Sequence, residues 1–289
     1  MVVSVNGPEF FVLPNSHRIA LPRQIVGVDF SGGQQAGNHI WITRGSVANG
    51  RLLIVDCRPA RRLENGGVKR GKALSALFEM INTLDDAAVG LDFSFSVPRD
   101  ILQQQDWQTF VRGFSERFAS PENFRNFCRG ISDKPELKRV SDVESETPFS
   151  PYNLWIFRQT FYGIRDVLSP LLNRQKGCIL PFQNHNCPLP WIMETCPASL
   201  LKKIGLYQAY KSKQPAAQQQ RARILEFVMQ TFDIGLENEL IRTTILNDTF
   251  GDALDSLLAA TIVFRQLKRP EALLRLPRDP YSREGMVYF

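Results

Sequence analysis

The chain of 289 residues is long enough for one large domain or two small ones, and its 43% of hydrophobic residues can fill a sizeable core. Its net charge of +6 permits a polyanionic partner without requiring one, because a basic surface also favours solubility. No run of about 18 apolar residues occurs, and polar residues and proline interrupt the start where a signal peptide needs an apolar core. We therefore expect a cytoplasmic protein with no membrane partner.

The first folded segment is predicted to be an antiparallel meander of three strands. QIVGVDFSGG is an apolar run that ends in Asp29 and a Ser-Gly-Gly turn, the pattern of a buried strand followed by a loop. The next two strands are NHIWITRGSV and RLLIVDCRPA, and they are joined by Asn49-Gly50, a pair typical of a tight hairpin turn.

A helix and a fourth strand follow the meander. GKALSALFEMINTL carries its apolar side chains at helical spacing, and AAVGLDFSF is a strand that ends at Asp92. A helical crossover sets the strand after it parallel to its neighbour. If the first and fourth strands lie side by side, Asp29 and Asp92 emerge at the same sheet edge, where open α/β sheets bind their ligands.

Two helical stretches separated by a loop are predicted next. Residues 99–130 have a helical pattern, and we assign their aromatic side chains to the core rather than to a base-stacking platform. These aromatic residues are Trp107, Phe110, Phe114 and Phe118. Residues 131–150 are polar and lack periodicity, which predicts a loop. YNLWIFRQTFYGIRDVLSPLL returns to helical spacing, and its helix is predicted to end at Pro170 or just beyond.

The remaining chain contains a third junction between a strand and an acid. A short apolar run, WIM, is closed by Glu194, and Pro197 suits the first turn of a following helix. QQQRARILEFVMQTF predicts a further helix, and the tail RLPRDPYSREGMVYF predicts an edge strand or loose chain.

The helix that begins in FGDALDSLLAA carries an acidic pair. Asp252 and Asp255 are three residues apart and share a face, while leucines occupy the opposite face. Acids in a first turn also suit the helix dipole and cap free N–H groups, so this pair has an ordinary structural interpretation as well.

Taken together, the acidic junctions predict a metal site. Carboxylates that converge on one pocket repel each other unless a proton or a cation relieves the charge. Mg²⁺ and Mn²⁺ prefer oxygen ligands, and two such ions can activate water for phosphodiester cleavage. The predicted catalytic residues are Asp29, Asp92, Glu194, Asp252 and Asp255, and all of them except Glu194 are predicted metal ligands.

At these motifs the sequence resembles a predicted nuclease family with a ribonuclease H-like fold, catalogued as a domain of unknown function. The resemblance is carried by the meander, VGLDFSFSVP, METCPASLL and GDALDSLLAA, and it covers most of residues 24–265 apart from 99–150. It implies an α/β fold with a mixed five-stranded sheet, the meander plus parallel strands, flanked by helices. The whole chain, 1–289, would be one such domain, with 99–150 as a helical and loop insertion.

The resemblance also implies roles for particular residues. Asp29 and Asp92 match the family's first two metal-ligand positions, and the closing helix matches the last, where Asp255 aligns and Asp252 is extra. Glu194 matches an acid particular to this family. Cys196, two residues later, departs from the family's pattern, in which an aromatic or small residue is common.

Several other residues are candidate substrate contacts. Serines follow two of the strand acids, although turn serines usually act as caps, and basic residues near the acids can grip phosphates or simply form a solvated face. These candidates are Ser31, Ser94, Arg158, Lys202, Lys203 and Lys211.

The histidines and cysteines predict little chemistry. None of the histidines, His17, His39 and His185, lies at a junction between a strand and an acid, so a histidine-based mechanism has no support in the sequence. The five cysteines have no spacing typical of zinc sites, which predicts free thiols.

Two alternatives to a nuclease stay open. A degenerate fold of the same class can bind nucleic acid or a protein partner without catalysis, and its acids are then caps and solvated turns. VGVDFSGG also resembles the phosphate loop of sugar kinases and actin-like ATPases, although the duplicated domain and the late Gly-rich adenosine loop of those proteins are missing.

Overall fold

The structure is a computed structural model that describes residues 2–3, 10–12, 18–132, 136–183, 190–273 and 277–289. The strands within these ranges are β1 (Val2–Val3), β2 (Phe10–Val12), β3 (Arg18–Ala20), β4 (Gln24–Asp29), β5 (Trp41–Ala48), β6 (Arg51–Pro59), β7 (Ala87–Asp92), β8 (Cys178–Ile179), β9 (Trp191–Glu194) and β10 (Ile234–Leu236). The α-helices are α1 (Ala36–His39), α2 (Arg70–Asn82), α3 (Arg99–Leu102), α4 (Trp107–Arg112), α5 (Phe114–Arg117), α6 (Pro121–Ile131), α7 (Val140–Glu144), α8 (Phe157–Gly163), α9 (Ser169–Arg174), α10 (Pro197–Lys203), α11 (Pro215–Thr231), α12 (Glu239–Asn247), α13 (Asp252–Leu267), α14 (Pro270–Leu273) and α15 (Tyr281–Glu284).

A mixed sheet of seven described strands forms the centre of the fold, in the order β10-β6-β5-β4-β7-β9-β8. β4, β5 and β6 are the antiparallel meander, and β7 and β9 continue the sheet in parallel on the other side of β4. The prediction of an α/β fold is therefore confirmed. The count of five strands is wrong, because the short strands β8 and β10 extend the two edges. β1–β3 form a separate antiparallel sheet.

The register of the sheet brings the ends of β4 and β7 together. The two strands are parallel neighbours, and Asp29 is paired with Asp92 as Gly27 is with Gly90. α2 lies between β6 and β7 in the chain, as the crossover helix predicted from the sequence. The hairpin turn before β6 has positive φ at both central residues, Asn49 and Gly50, as that dipeptide predicts.

Two layers of helices cover the sheet, and the period of two along each strand decides which side chain enters which layer. Val26 and Val28 of β4 pack on the side of α2 and the helical segment that follows β7. Ile25, one residue out of phase, packs on the opposite side with the leucines of α13. A core on both faces requires strands that are apolar throughout, which explains the continuous apolar runs of β4 and β7.

α13 lies directly on the sheet because glycines face it. A Cβ on Gly27 would lie 2.1 Å from the carbonyl oxygen of Ser256 and 2.2 Å from the amide nitrogen of Ala260. A Cβ on Gly90, in the adjacent strand, would lie 3.1 Å from the carbonyl oxygen of Ala259. The V-G-V-D and V-G-L-D runs therefore serve two purposes: the glycine admits the helix, and the aspartate ends the strand beside it.

The stretch after β7 is helical and largely buried, as predicted. It is divided among four helices, α3 to α6, rather than one continuous helix. Its aromatic side chains belong to the core, which confirms that assignment: Trp107, Phe110, Phe114 and Phe118 are each at most 2% exposed.

The helix predicted to end at Pro170 or just beyond ends at Arg174, and a π turn at Ile164–Leu168 lies just before the proline. One loop prediction was wrong. The predicted loop at 131–150 contains the helix α7, whose first residues are held by a distant carboxylate: the amide of Val140 donates to Glu284 Oε2. Residues 133–135 of this stretch lie outside the described residues.

The tail joins the sheet at one point. The amide of Tyr288 donates to the carbonyl of Glu194, and the amide of Cys196 donates to the carbonyl of Tyr288. Among the described residues the tail therefore forms an isolated bridge to the sheet after α15. It is neither the predicted edge strand nor loose chain. Residues 274–276 of this tail are not described.

Within the described part of the chain, no helix combines the length and the apolar character that a membrane span needs. Cys57, Cys128 and Cys196 there are free thiols, as predicted. His17, His185 and Cys187 lie outside the described residues.

Candidate active site

The ends of β4 and β7 open into a cavity of about 540 Å³. Asp29, Asp92 and Asp255 all line it, so the structure brings together three of the predicted metal ligands. Asp29 is 8% exposed and Asp255 is 3% exposed. Asp252 lies on the other side of Asp29, in an adjoining cavity of about 420 Å³ that Asp29 also lines. We call Asp29, Asp92, Asp252 and Asp255 the aspartate cluster.

The acids of α13 do not cap their own helix. The amide of Ala253 donates instead to Asp248 Oδ2 at 2.8 Å, so Asp248 supplies the cap. This leaves both first-turn aspartates for other contacts. Asp255 accepts from the hydroxyl of Tyr210 at 2.7 Å, and its second oxygen lies 2.6 Å from Lys211 Nζ. The ordinary interpretation of this acidic pair as caps therefore does not apply.

Asp252 has a partner that the sequence did not indicate. Its Oδ2 lies 2.9 Å from Nδ1 of His39, a residue more than 200 positions earlier in the chain. His39 ends the short helix α1 rather than following a strand, so the acidic junctions in the sequence did not point to it. The His39 ring also packs edge-on against Phe250, with ring centroids 5.0 Å apart.

The aspartate cluster holds more negative charge than its neighbours balance. Burial raises the pKa of Asp29 well above its ordinary value, and the charges of Asp252 and Asp255 raise it further. Burial, followed by the charge of Asp255, raises the pKa of Asp92 to about 8. Burial raises the pKa of Asp252 to about 6, although the hydrogen bond from His39 lowers it. Lys211 lowers the pKa of all three of these carboxyl groups.

The donor chemistry of the cluster fits a hard divalent cation. No described residue donates a hydrogen bond to the carboxylate of Asp29 or Asp92, so these oxygens are free to receive a ligand from the cavity. Among the described residues, however, no three His, Cys, Asp or Glu side chains are already arranged to hold one ion together. Lys211 supplies the positive charge at Asp255 in this arrangement.

Glu194, also predicted to be catalytic, lies in the wall of the same cavity with both oxygens engaged. Arg139 donates to Glu194 Oε1 at 2.5 Å and to Oε2 at 2.7 Å, and the amide of Phe95 donates to Oε2 as well. Arg139 also binds both oxygens of Asp142. We call Arg139, Asp142, Glu194 and Glu284 the Arg139 network. Glu194 in this network holds the strand end in place rather than offering a free carboxylate.

The remaining candidates divide into those near the aspartate cluster and those away from it. Ser94 lines the larger cavity, and Ser31 and Arg158 line the smaller one. The Ser31 hydroxyl also accepts from the amide of Gly33, as turn serines do. Lys211 lines both cavities, whereas Lys202 and Lys203 line neither of them. Lys202 instead donates to the carbonyl of Glu146 at 2.5 Å.

Sequence reasoning missed several residues of the site. Tyr210 precedes Lys211, and Gln159 follows Arg158. Both basic residues are candidate substrate contacts, so the sequence held a weak signal for their neighbours. Gln159 donates to the carbonyl of Phe30 and lines both cavities. Arg139 and His39 had no local signal, since their partners are distant in sequence.

No family model matches the chain, and no curated protein or solved structure is significantly similar to it.

Proposed function

We propose that this protein is a metal-dependent phosphodiesterase that cleaves nucleic acid and has a ribonuclease H-like fold. The observation that carries the proposal is the aspartate cluster: carboxylates from β4, β7 and α13 meet at one cavity, where burial and the neighbouring negative charges raise the pKa values of Asp29 and Asp92. Groups with strongly perturbed pKa values in a cleft are typical of functional sites.

The strand arrangement supports the fold part of the proposal. A three-stranded antiparallel meander plus parallel strands, flanked by helices, is the arrangement implied by the family resemblance. β7 and β9 supply those parallel strands, and β8 and β10 are additions at the edges. The acid at the end of the first strand and the acids on the closing helix then lie at the same end of the sheet, as the resemblance requires.

Asp29, Asp92 and Asp255, with Asp252 beside them, would hold Mg²⁺ or Mn²⁺. A bound ion of this kind supplies an activated water and stabilises the charge that develops on a phosphate. The chain's own residues bind and orient the substrate. Lys211, which is half-exposed and lines both cavities, is placed to hold a phosphate oxygen once its contact with Asp255 is released. Gln159 links α8 to the end of β4 and keeps the wall between the cavities fixed.

The test is cleavage of single-stranded, duplex, hybrid and branched DNA and RNA in Mn²⁺ or Mg²⁺. We expect Asp29→Asn to lower the rate on the order of a hundredfold or more, because it removes one charge from the site. Asp86→Asn is the matched control: Asp86 is an exposed acid that pairs with Arg23 at the opposite end of the same strands. Equal rates in wild type and Asp29→Asn would contradict the proposal.

A second candidate is a non-catalytic module of the same fold that binds nucleic acid or a protein. It is favoured by the 2.6 Å contact between Lys211 and Asp255, which balances one aspartate without a metal. Isothermal titration with Mn²⁺ separates the two candidates. Binding that is lost in Asp92→Asn supports the enzyme, and no heat of binding in the wild type supports the module.

A further inference from the structure

We propose that the smaller cavity binds an unpaired nucleotide, with its base stacked on Trp155 and its phosphate next to Arg158 and Lys211. The inference rests on the proposed function and assigns its substrate class: a single-stranded segment of nucleic acid. Nothing in the sequence motifs pointed to Trp155, which lies near the start of the helical stretch predicted at 152–172.

Trp155 is unusual in its exposure. It is 78% exposed, whereas Trp107 is 2% exposed and Trp191 is 3% exposed, both in the core. Tryptophan is enriched among the residues that contribute most of the binding energy at interfaces, so an exposed indole in the wall of a cavity is a candidate ligand contact. Its neighbour Leu154 is also 57% exposed, so the turn presents an apolar surface of two residues.

The turn that carries Trp155 is anchored. The amide of Trp155 donates to Oδ1 of Asn153 at 3.0 Å, and Nδ2 of Asn153 donates to Oε1 of Glu136 at 2.6 Å. The amides of Ile156 and Phe157 both donate to the carbonyl of Asn153, which leads into α8. A fixed backbone holds the indole in one place, and this reduces the entropy lost when a base stacks on it.

The surroundings of Trp155 match a nucleotide rather than a purely apolar partner. The smaller cavity has Trp155, Arg158 and His39 in its lining, together with Lys211. Arg158 forms an ion pair with Glu122 at the surface, where both side chains are more than half exposed, so a phosphate can displace that partner at little cost. Stacking aromatic groups combined with cations are the usual elements of single-strand binding.

The position of the cavity connects this binding to the proposed chemistry. Asp29, Gln159 and Lys211 line both cavities, so a strand whose base rests on Trp155 passes the aspartate cluster as it enters the larger cavity. A base inside a duplex is already stacked on its neighbours and has no free face for the indole. The site therefore selects unpaired nucleotides.

Tryptophan fluorescence tests the proposal without catalysis. Because Trp107 and Trp191 are buried and Trp41 is partly covered, Trp155 is the tryptophan most open to quenching. We expect an oligothymidylate of about eight nucleotides, titrated in EDTA, to quench the emission saturably. A hairpin duplex of equal length should bind at least about tenfold more weakly.

Two variants assign the effect to the indole. Trp155→Leu should weaken oligonucleotide binding, measured by anisotropy of a labelled strand, by roughly tenfold, while Trp155→Phe should retain most of it. Leu154→Ala is the matched control, because it removes the adjacent exposed side chain and keeps the indole.

Asp92→Asn separates this proposal from the proposed function. If quenching persists in Asp92→Asn and neither the wild type nor any variant cleaves nucleic acid, the nucleotide site stands and only the proposed nuclease activity is overturned. Equal binding of strand and duplex, unchanged binding in Trp155→Leu, or no binding of either oligonucleotide would overturn the nucleotide site. Self-association that disappears in Trp155→Leu, measured by sedimentation, would assign the indole to a protein contact and would overturn it as well.

Discussion

The aspartate cluster and the Arg139 network each place carboxylates in the wall of the same cavity, and they differ in how their charges are satisfied. In the Arg139 network, the guanidinium binds both oxygens of Asp142 and both oxygens of Glu194. Glu284 accepts from the amides of Arg99 and Val140. In the aspartate cluster, Asp29 and Asp92 accept no hydrogen bond from the described residues.

This difference indicates which cluster holds the fold and which can hold a ligand. A buried carboxylate that is fully hydrogen-bonded to a buried arginine has no remaining affinity for a cation. Carboxylates that repel each other gain free energy from any cation that enters. Glu194 and Asp92 are close in the cavity wall and similar in chemistry, and their partners decide their roles.

The largest expected effect comes from Arg139, which is fully buried. Arg139→Met leaves the carboxylates of Asp142 and Glu194 buried without a cationic partner, so we expect a loss of about 4 kcal/mol in the free energy of unfolding. Urea denaturation measures it. Arg158→Met, which breaks an exposed ion pair, is the control and should change the stability by less than about 1 kcal/mol. Similar losses of stability in both variants would show that the buried Arg139 network stabilises the fold no more than an exposed ion pair does.

A pH titration of stability tests the aspartate cluster. The pKa of Asp92 is raised from 3.8 to about 8, so the folded state holds the proton more tightly than the unfolded state. Stability from this group is therefore complete below about pH 4 and is lost as the pH rises through about 8.

Asp92→Asn should remove this pH dependence. Compared with wild type in EDTA, the variant should be more stable at pH 8 by on the order of 5 kcal/mol, with the difference vanishing near pH 4. Thermal and urea unfolding across this range provide the measurement. An Asp92→Asn protein that is less stable than wild type at pH 8 would show that the Asp92 carboxylate has a satisfying partner.

The smallest effect on stability is expected from Lys211, because its side chain is 49% exposed and water screens its charge. Lys211→Met should cost about 1 kcal/mol in EDTA. In Mn²⁺ the variant should recover more thermal stability than the wild type does, since the ion no longer competes with the ammonium at Asp255. Lys203→Met, on α10 away from both cavities, controls for lost surface charge. An equal gain of thermal stability from Mn²⁺ in Lys211→Met and Lys203→Met would contradict the idea that the ion competes with Lys211 for Asp255.

Much of the fold was predictable because its signals are local. The apolar runs, the Asn49-Gly50 turn and the helical spacing of α2, α11 and α13 depend on neighbours within a few residues. The pairing of Asp29 with Asp92 followed from one further rule, that a helical crossover makes neighbouring strands parallel. Where a distant contact overrides the local pattern, as at α7, prediction failed.

The partners of each acid depend on contacts between residues far apart in the chain. Arg139 meets Glu194 across 55 positions, and His39 meets Asp252 across 213 positions. No periodicity records such pairs, because a side chain's local pattern reports only whether it is buried and on which face. The sequence alone therefore indicated which acids end a strand and which share a helix face. Which acid is neutralised by an arginine and which remains available to a ligand follows only from packing the sheet, α7 and α13 against one another, since burial and neighbouring charge set the state of a carboxylate.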